Sequence, residues 1–111
     1  MSSQFQTVNT TKAPSAIGPY SQAIIANGFV YASGQIPVVP ETGNIISDDV
    51  KEQTKQVIKN LTNVLEAANS SLSQCFGSSR PARACVEVSR LPKDVKVEID
   101  AVALVNSVSS V

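Results

Sequence analysis

Two stretches of alternating apolar and polar residues flank one long stretch with helical periodicity, and the rest of the chain is punctuation between them. Ser21 to Ala26 and Phe29 to Ser33 are apolar runs with strand character, separated by Asn27-Gly28. Both turn residues tolerate positive φ, so the pair predicts a tight type I′ hairpin. Phe5 to Asn9 is a shorter candidate strand, followed by Ala13-Pro14-Ser15-Ala16-Ile17-Gly18-Pro19-Tyr20, whose prolines and glycine forbid regular structure. Pro40-Glu41-Thr42-Gly43 reads as a second turn. From Asp49 to about Ala68, the positions Val50, Thr54, Val57, Leu61, Val64, Leu65 and Ala68 recur at helical steps and predict one buried stripe. Ser47, Asp48 or Asp49 would cap that helix, Lys51, Lys55, Lys59 and Glu66 would face solvent, and Asn69 would end it.

The second alternating region is Arg80-Pro-Ala-Arg-Ala-Cys-Val-Glu-Val88, where Ala84, Val86 and Val88 alternate with Cys85 and Glu87. Arg83 falls on the side of Cys85 and Glu87, at the entrance to the strand. A guanidinium there can hold a carboxylate through two parallel hydrogen bonds; the alternative is an edge arginine in a surface ion pair. After the polar turn Leu91-Pro-Lys-Asp94, Val95, Val97, Ile99 and Ala101 alternate with Lys96, Glu98 and Asp100. The two runs are expected to pair as an antiparallel ribbon, in which Glu87 or Arg83 could approach Glu98; the sequence does not fix the register. Residues 104–111 have no clear period and are expected to fray.

Composition narrows the chemistry. The chain has 111 residues, 42% hydrophobic and 16% charged, enough for a single domain over 1–111 with one core. Nine basic and nine acidic residues leave a formal net charge of zero, so no basic surplus favours nucleic acid as a partner. No apolar run approaches a membrane span, and the first residues have neither the pattern of a signal peptide nor that of a transit peptide. The expected location is the cytoplasm, with the mitochondrion as the alternative. Histidine is absent, which removes Ser-His and Cys-His nucleophile pairs. Cys75 and Cys85, with no further cysteine, do not suggest a structural metal. No glycine-rich nucleotide motif occurs, so no cofactor is expected. Arg83 remains as an anion grip and Glu98 as an acid or base. Gly34 serves either a turn or a ligand's need for bare backbone.

These segments resemble a known family. IGPYSQA at 17–23, YASGQIPVVPETG at 31–43, NLTNVLEAANSSL at 60–72, RPARACVEV at 80–88 and LPKDVKVEIDAVA at 91–103 are similar, in order, to the RidA/YjgF family of imine deaminases. The resemblance implies an α+β fold of the chorismate-mutase-like kind, a mixed β-sheet with helix packed on one face. It implies a homotrimer with a ligand cleft at each subunit interface. The implied reaction is hydrolysis of reactive 2-imino or enamine acids, released by pyridoxal-phosphate-dependent dehydratases, to 2-keto acids and ammonia. By position, Arg83 would clamp the substrate carboxylate and Glu98 would direct the attacking water. Tyr20, Ser33, Gly34 and Cys85 would line the substrate site, the last two through their backbone. Such chemistry needs positioning and one carboxylate, because an iminium carbon is already electrophilic.

The chain departs from the family's pattern between the helix and RPARACVEV. A strand and a second helix are expected there, yet residues 72–79 run almost straight into Arg80. At mean element lengths the shortfall is on the order of 25 residues, placed near 74–76. Its loss would expose strand edges and part of the sheet face, and would remove pocket and interface residues. The alternative reading is therefore a catalytically impaired isoform that binds small carboxylates such as 2-keto acids, or regulates through them. Cleavage of RNA fits poorly with zero net charge and no histidine.

Overall fold

The computed structural model describes residues 5–16, 18–71 and 91–106. Arg83, Cys85 and the whole run from Arg80 to Val88 lie outside the described residues, as do Ile17 and residues 107–111. In chain order the elements are β1 (Phe5–Val8), β2 (Ala23–Ala26), β3 (Phe29–Gln35), α1 (Val50–Ala67), a 3-10 turn (Pro92–Asp94) and β4 (Ile99–Leu104). The strands form one sheet in the order β1-β2-β3-β4, and these pairings are all antiparallel. The architecture is α+β.

The hairpin is the one expected. Ala26 pairs with Phe29 across Asn27 and Gly28, whose φ angles of 52° and 81° place both in the left-handed region that a type I′ turn requires. The strand before the turn begins at Ala23 rather than Ser21, and β3 runs on past Ser33 to Gln35. Alternation divides the sheet. Val8, Ala23, Val30, Ala32 and Ala103 face inward and meet Leu61, Val64, Leu65 and Ala68 of the helix side. On the other face Phe29, Tyr31, Val102 and Leu104 stand exposed, and the register puts Phe29 opposite Leu104 and Tyr31 opposite Val102.

The helix starts at an aspartate whose side chain accepts the Glu52 backbone N–H at 3.1 Å, which satisfies one of the orphan donors of the first turn. It ends in a Schellman arrangement. Asn69, at φ 61°, donates its N–H to Glu66 O, and Ser70 donates to Leu65 O. The buried stripe differs at its start from the expected one. Val50 is 49% exposed and Thr54 only half-buried, whereas Gln53, Gln56 and Asn60 are buried. Gln53 and Asn60 on this face of α1 donate to carbonyls of the 36–47 loop and Gln56 donates to Asn60, so amides outcompete apolar groups there.

β4 also differs from expectation. It begins at Ile99, not Val95, and pairs with β3; the ribbon expected with residues 80–88 falls outside the described residues. Inward positions Val95, Val97, Ile99 and Ala101 do alternate with exposed Lys96, Glu98 and Asp100. The start of the expected frayed tail is instead tied down. Leu104 closes β4, the Val105 N–H donates to Gly28 O, and the Asn106 N–H donates to Asn69 O. Ser70 Oγ also donates to Leu104 O at 2.6 Å, so the end of the helix and the end of the sheet hold each other.

Candidate functional site

A cavity of about 210 Å³ opens where the loop before β2, the end of β3 and the 3-10 turn converge. Its first wall is the Pro14-Ser15-Ala16 segment, an irregular stretch that needs an outside partner for its carbonyls. Gln22 is that partner. Its buried amide donates to Thr10 O, Ala13 O and Pro14 O at 3.1, 3.3 and 2.8 Å, while its Oε1 accepts the Thr10 N–H at 2.6 Å. Tyr20 lines the same cavity two residues earlier.

The second wall is the exit of β3. Ala32 pairs with Ala101 and Gln35 with Ile99, so β3 spends three residues where β4 spends two. This bulge interrupts the ladder at Ser33 and Gly34. Ser33 stays tied to the hairpin, its N–H donating to Gln22 O and its hydroxyl to Ser21 O at 2.6 Å. Gly34 lines the cavity, and the Glu98 carboxylate packs against its Cα: a Cβ there would come within 2.7 Å of Glu98 Cδ and 3.0 Å of Cγ. Glycine here leaves room for Glu98 to approach the backbone and does not serve a left-handed turn.

The third wall, Ile36 and Val38, depends on the helix. Asn60 is 0% exposed and donates through Nδ2 to Ile36 O at 3.0 Å and Val38 O at 2.9 Å, while its Oδ1 accepts from Gln56 Nε2 at 2.9 Å. Two turns earlier, Gln53 donates to Ser47 O at 2.9 Å and accepts the Lys96 N–H at 2.8 Å. These amides fasten the loop after β3 and the approach to β4 onto α1. Lys93, from the 3-10 turn, completes the lining.

Of the residues expected to form the site, Tyr20 and Gly34 therefore share one cavity, and Glu98 touches Gly34. Ser33 adjoins it in the chain with its hydroxyl already engaged. Arg83 and Cys85 lie outside the described residues. Sequence reading missed Gln22, Asn60 and Lys93. Glutamines and an asparagine at helical spacing beside Val57 and Leu61 were the available signal for a buried amide row. Among the described residues no group of three or more His, Cys, Asp or Glu side chains is placed to hold a metal ion, and no helix is long and apolar enough to cross a membrane.

Comparison with known proteins agrees with this architecture. The family model described as Endoribonuclease L-PSP matches residues 10–76 and 71–105. A RutC family protein of Pyrococcus abyssi is 46% identical over 121 residues, covering 88% of this chain and 95% of the relative. The human 2-iminobutanoate/2-iminopropanoate deaminase is 38% identical over 120 residues, covering 87% of this chain and 88% of the relative. Among solved structures, the Escherichia coli YjgF gene product superposes with a TM-score of 0.81 at 36% identity, covering 89% of this chain and 98% of that one. E. coli TdcF, solved with bound serine, superposes at 0.82 with 35% identity, covering 91% and 99%. With this sheet, this helix and matches across most of its length, the chain belongs to the RidA/YjgF/RutC family, the family whose domain is described as Endoribonuclease L-PSP.

Proposed function

We propose that this protein hydrolyses reactive 2-imino acids, such as 2-iminobutanoate and 2-iminopropanoate, to the 2-keto acid and ammonia without a cofactor. The observation that carries this reading is the Glu98 carboxylate seated against bare backbone at Gly34, a residue that lines one cavity with Tyr20. Water adds to the C=N carbon as one of its protons passes to Glu98, which returns it to the nitrogen, giving a neutral carbinolamine. Glu98 then takes the hydroxyl proton and passes it to the nitrogen, so the C–N bond breaks, the C=O bond forms, ammonia leaves and the carboxylate is regenerated. Arg83 is assigned the substrate carboxylate, Cys85 and Gly34 the close backbone contacts, and Tyr20 and Ser33 the surrounding wall. Two relatives named as deaminases, from human and from Arabidopsis thaliana, support the same chemistry.

The test is ammonia release from freshly generated 2-iminobutanoate. Glu98→Gln should lower kcat far more than affinity, and Arg83→Ala should abolish 2-ketobutanoate binding with the fold intact. Equal turnover by wild type and Glu98→Gln would refute the assignment. A second reading, an isoform that binds 2-keto acids without turnover, is favoured by one observation: the family model matches in two segments that meet at 71–76. Such a break is what a missing internal block near 74–76 produces. Binding of 2-ketobutanoate with no acceleration of ammonia release would select this second reading.

Assembly as a homotrimer is part of the proposal. The exposed row of Phe29, Tyr31, Val102 and Leu104 lies on the sheet face away from α1, and a contiguous apolar face of this kind is a usual site of association. An endoribonuclease role, which the family description names, is disfavoured by the zero formal charge.

A further inference from the structure

Among the described residues lining the cavity, Lys93 alone carries a formal charge. Its turn sets it there: the Asp94 N–H donates to Leu91 O, the Val95 N–H donates to Pro92 O, and Lys93 itself sits at φ 56°. The next lysine along, Lys96, is engaged, its Nζ donating to Asp48 O at 2.6 Å. The Lys93 ammonium has no hydrogen bond or ion pair among the described residues. The other polar groups of the wall are neutral, and the Gln22 amide is consumed by three carbonyls of the chain. Opposite in sign, the Glu98 carboxylate packs against Gly34, which lines the cavity. The cavity thus presents an uncommitted cation, and a carboxylate adjoins it at Gly34. A 2-iminium acid presents the matching pair, a carboxylate next to a protonated C=N.

We propose that Lys93 is a specificity-determining residue of this cavity, selecting small 2-imino and 2-keto carboxylates over neutral imines and ketones. This rests on the deaminase reading and adds to it a second cation besides Arg83. Because Lys93 is exposed, its contribution is that of a screened charge.

The experiment is titration of 2-ketobutanoate, and of butanone as the neutral counterpart, into wild type, Lys93→Met, Lys93→Arg and Lys93→Glu. At low ionic strength Lys93→Met should bind the keto acid about threefold more weakly and Lys93→Glu about tenfold more weakly, whereas Lys93→Arg should match wild type. Butanone should not distinguish the four proteins, and the differences should close in about 0.5 M salt. Wild-type binding of 2-ketobutanoate with Lys93→Glu unchanged overturns the role of Lys93 and leaves the deaminase reading standing. Absence of binding by wild type overturns both. Should a variant melt early, wild type alone still decides: keto-acid affinity that does not fall with salt overturns the proposal.

Discussion

Replacing Gly34 by alanine separates the geometry of the site from the stability of the fold. Gly34 is not in the left-handed region, where only Gly28 and Gly43 among the described glycines fall, so its backbone conformation accepts an L residue. Alanine there restricts the unfolded chain and would by itself stabilise by about 0.4–1 kcal/mol. Against this, the new Cβ would stand 2.7 Å from Glu98 Cδ and 3.0 Å from Cγ, so the Glu98 side chain must rotate away. Glu98 is exposed and free to move, and an off-rotamer adjustment costs about 0.5–1.5 kcal/mol. The two effects offset, and the net change should lie within about 1 kcal/mol of zero. Activity should not be spared. A carboxylate displaced by roughly 1 Å from the water it directs loses on the order of 100-fold in rate. The assay is kcat/KM for ammonia release from 2-iminobutanoate, with the urea midpoint measured on the same preparation. Wild-type stability together with kcat/KM within about threefold of wild type would refute the argument that Glu98 acts from this wall.

Three further outcomes follow from other parts of the molecule. Asn60→Ala strips two loop carbonyls and the Gln56 amide of their partner, and should cost about 2–4 kcal/mol in urea unfolding. Asp49→Ala removes the cap on the Glu52 N–H and should lower stability by about 1 kcal/mol, whereas Asp49→Asn should restore most of it. The double substitution Tyr31→Asp with Val102→Asp puts two like charges opposite each other on the exposed sheet face. It should shift the native mass towards monomer in sedimentation, and an unchanged mass would argue against association through that face.

Local signals were strong enough to stand without tertiary help in three places. Asn27-Gly28 prescribed the hairpin because both residues accept positive φ. Val57, Leu61, Val64 and Leu65 marked the face of α1 that meets the sheet. Asn69 ended the helix because it tolerates the left-handed conformation of a Schellman cap. The family pattern pointed to Tyr20, Gly34 and Glu98, and the fold places Tyr20 and Gly34 on one cavity with Glu98 against Gly34, a proximity that no local rule reveals. The misplaced apolar position at Val50 and the unforeseen Gln53-Gln56-Asn60 row share one cause. A helical stripe shows which residues face inward but not whether the surface they meet is apolar side chain or bare carbonyl. Only the folded chain supplies that surface, here the 36–47 loop, so the preference for amides over valine was decided by long-range backbone hydrogen bonding. The same holds for Lys93. Pro92 and Asp94 announce a turn, but its direction relative to β3, and hence the cation in the cavity, depends on a sheet register set by residues some sixty positions earlier in the chain. Side-chain chemistry is written residue by residue, whereas proximity between distant residues exists only once the core has closed.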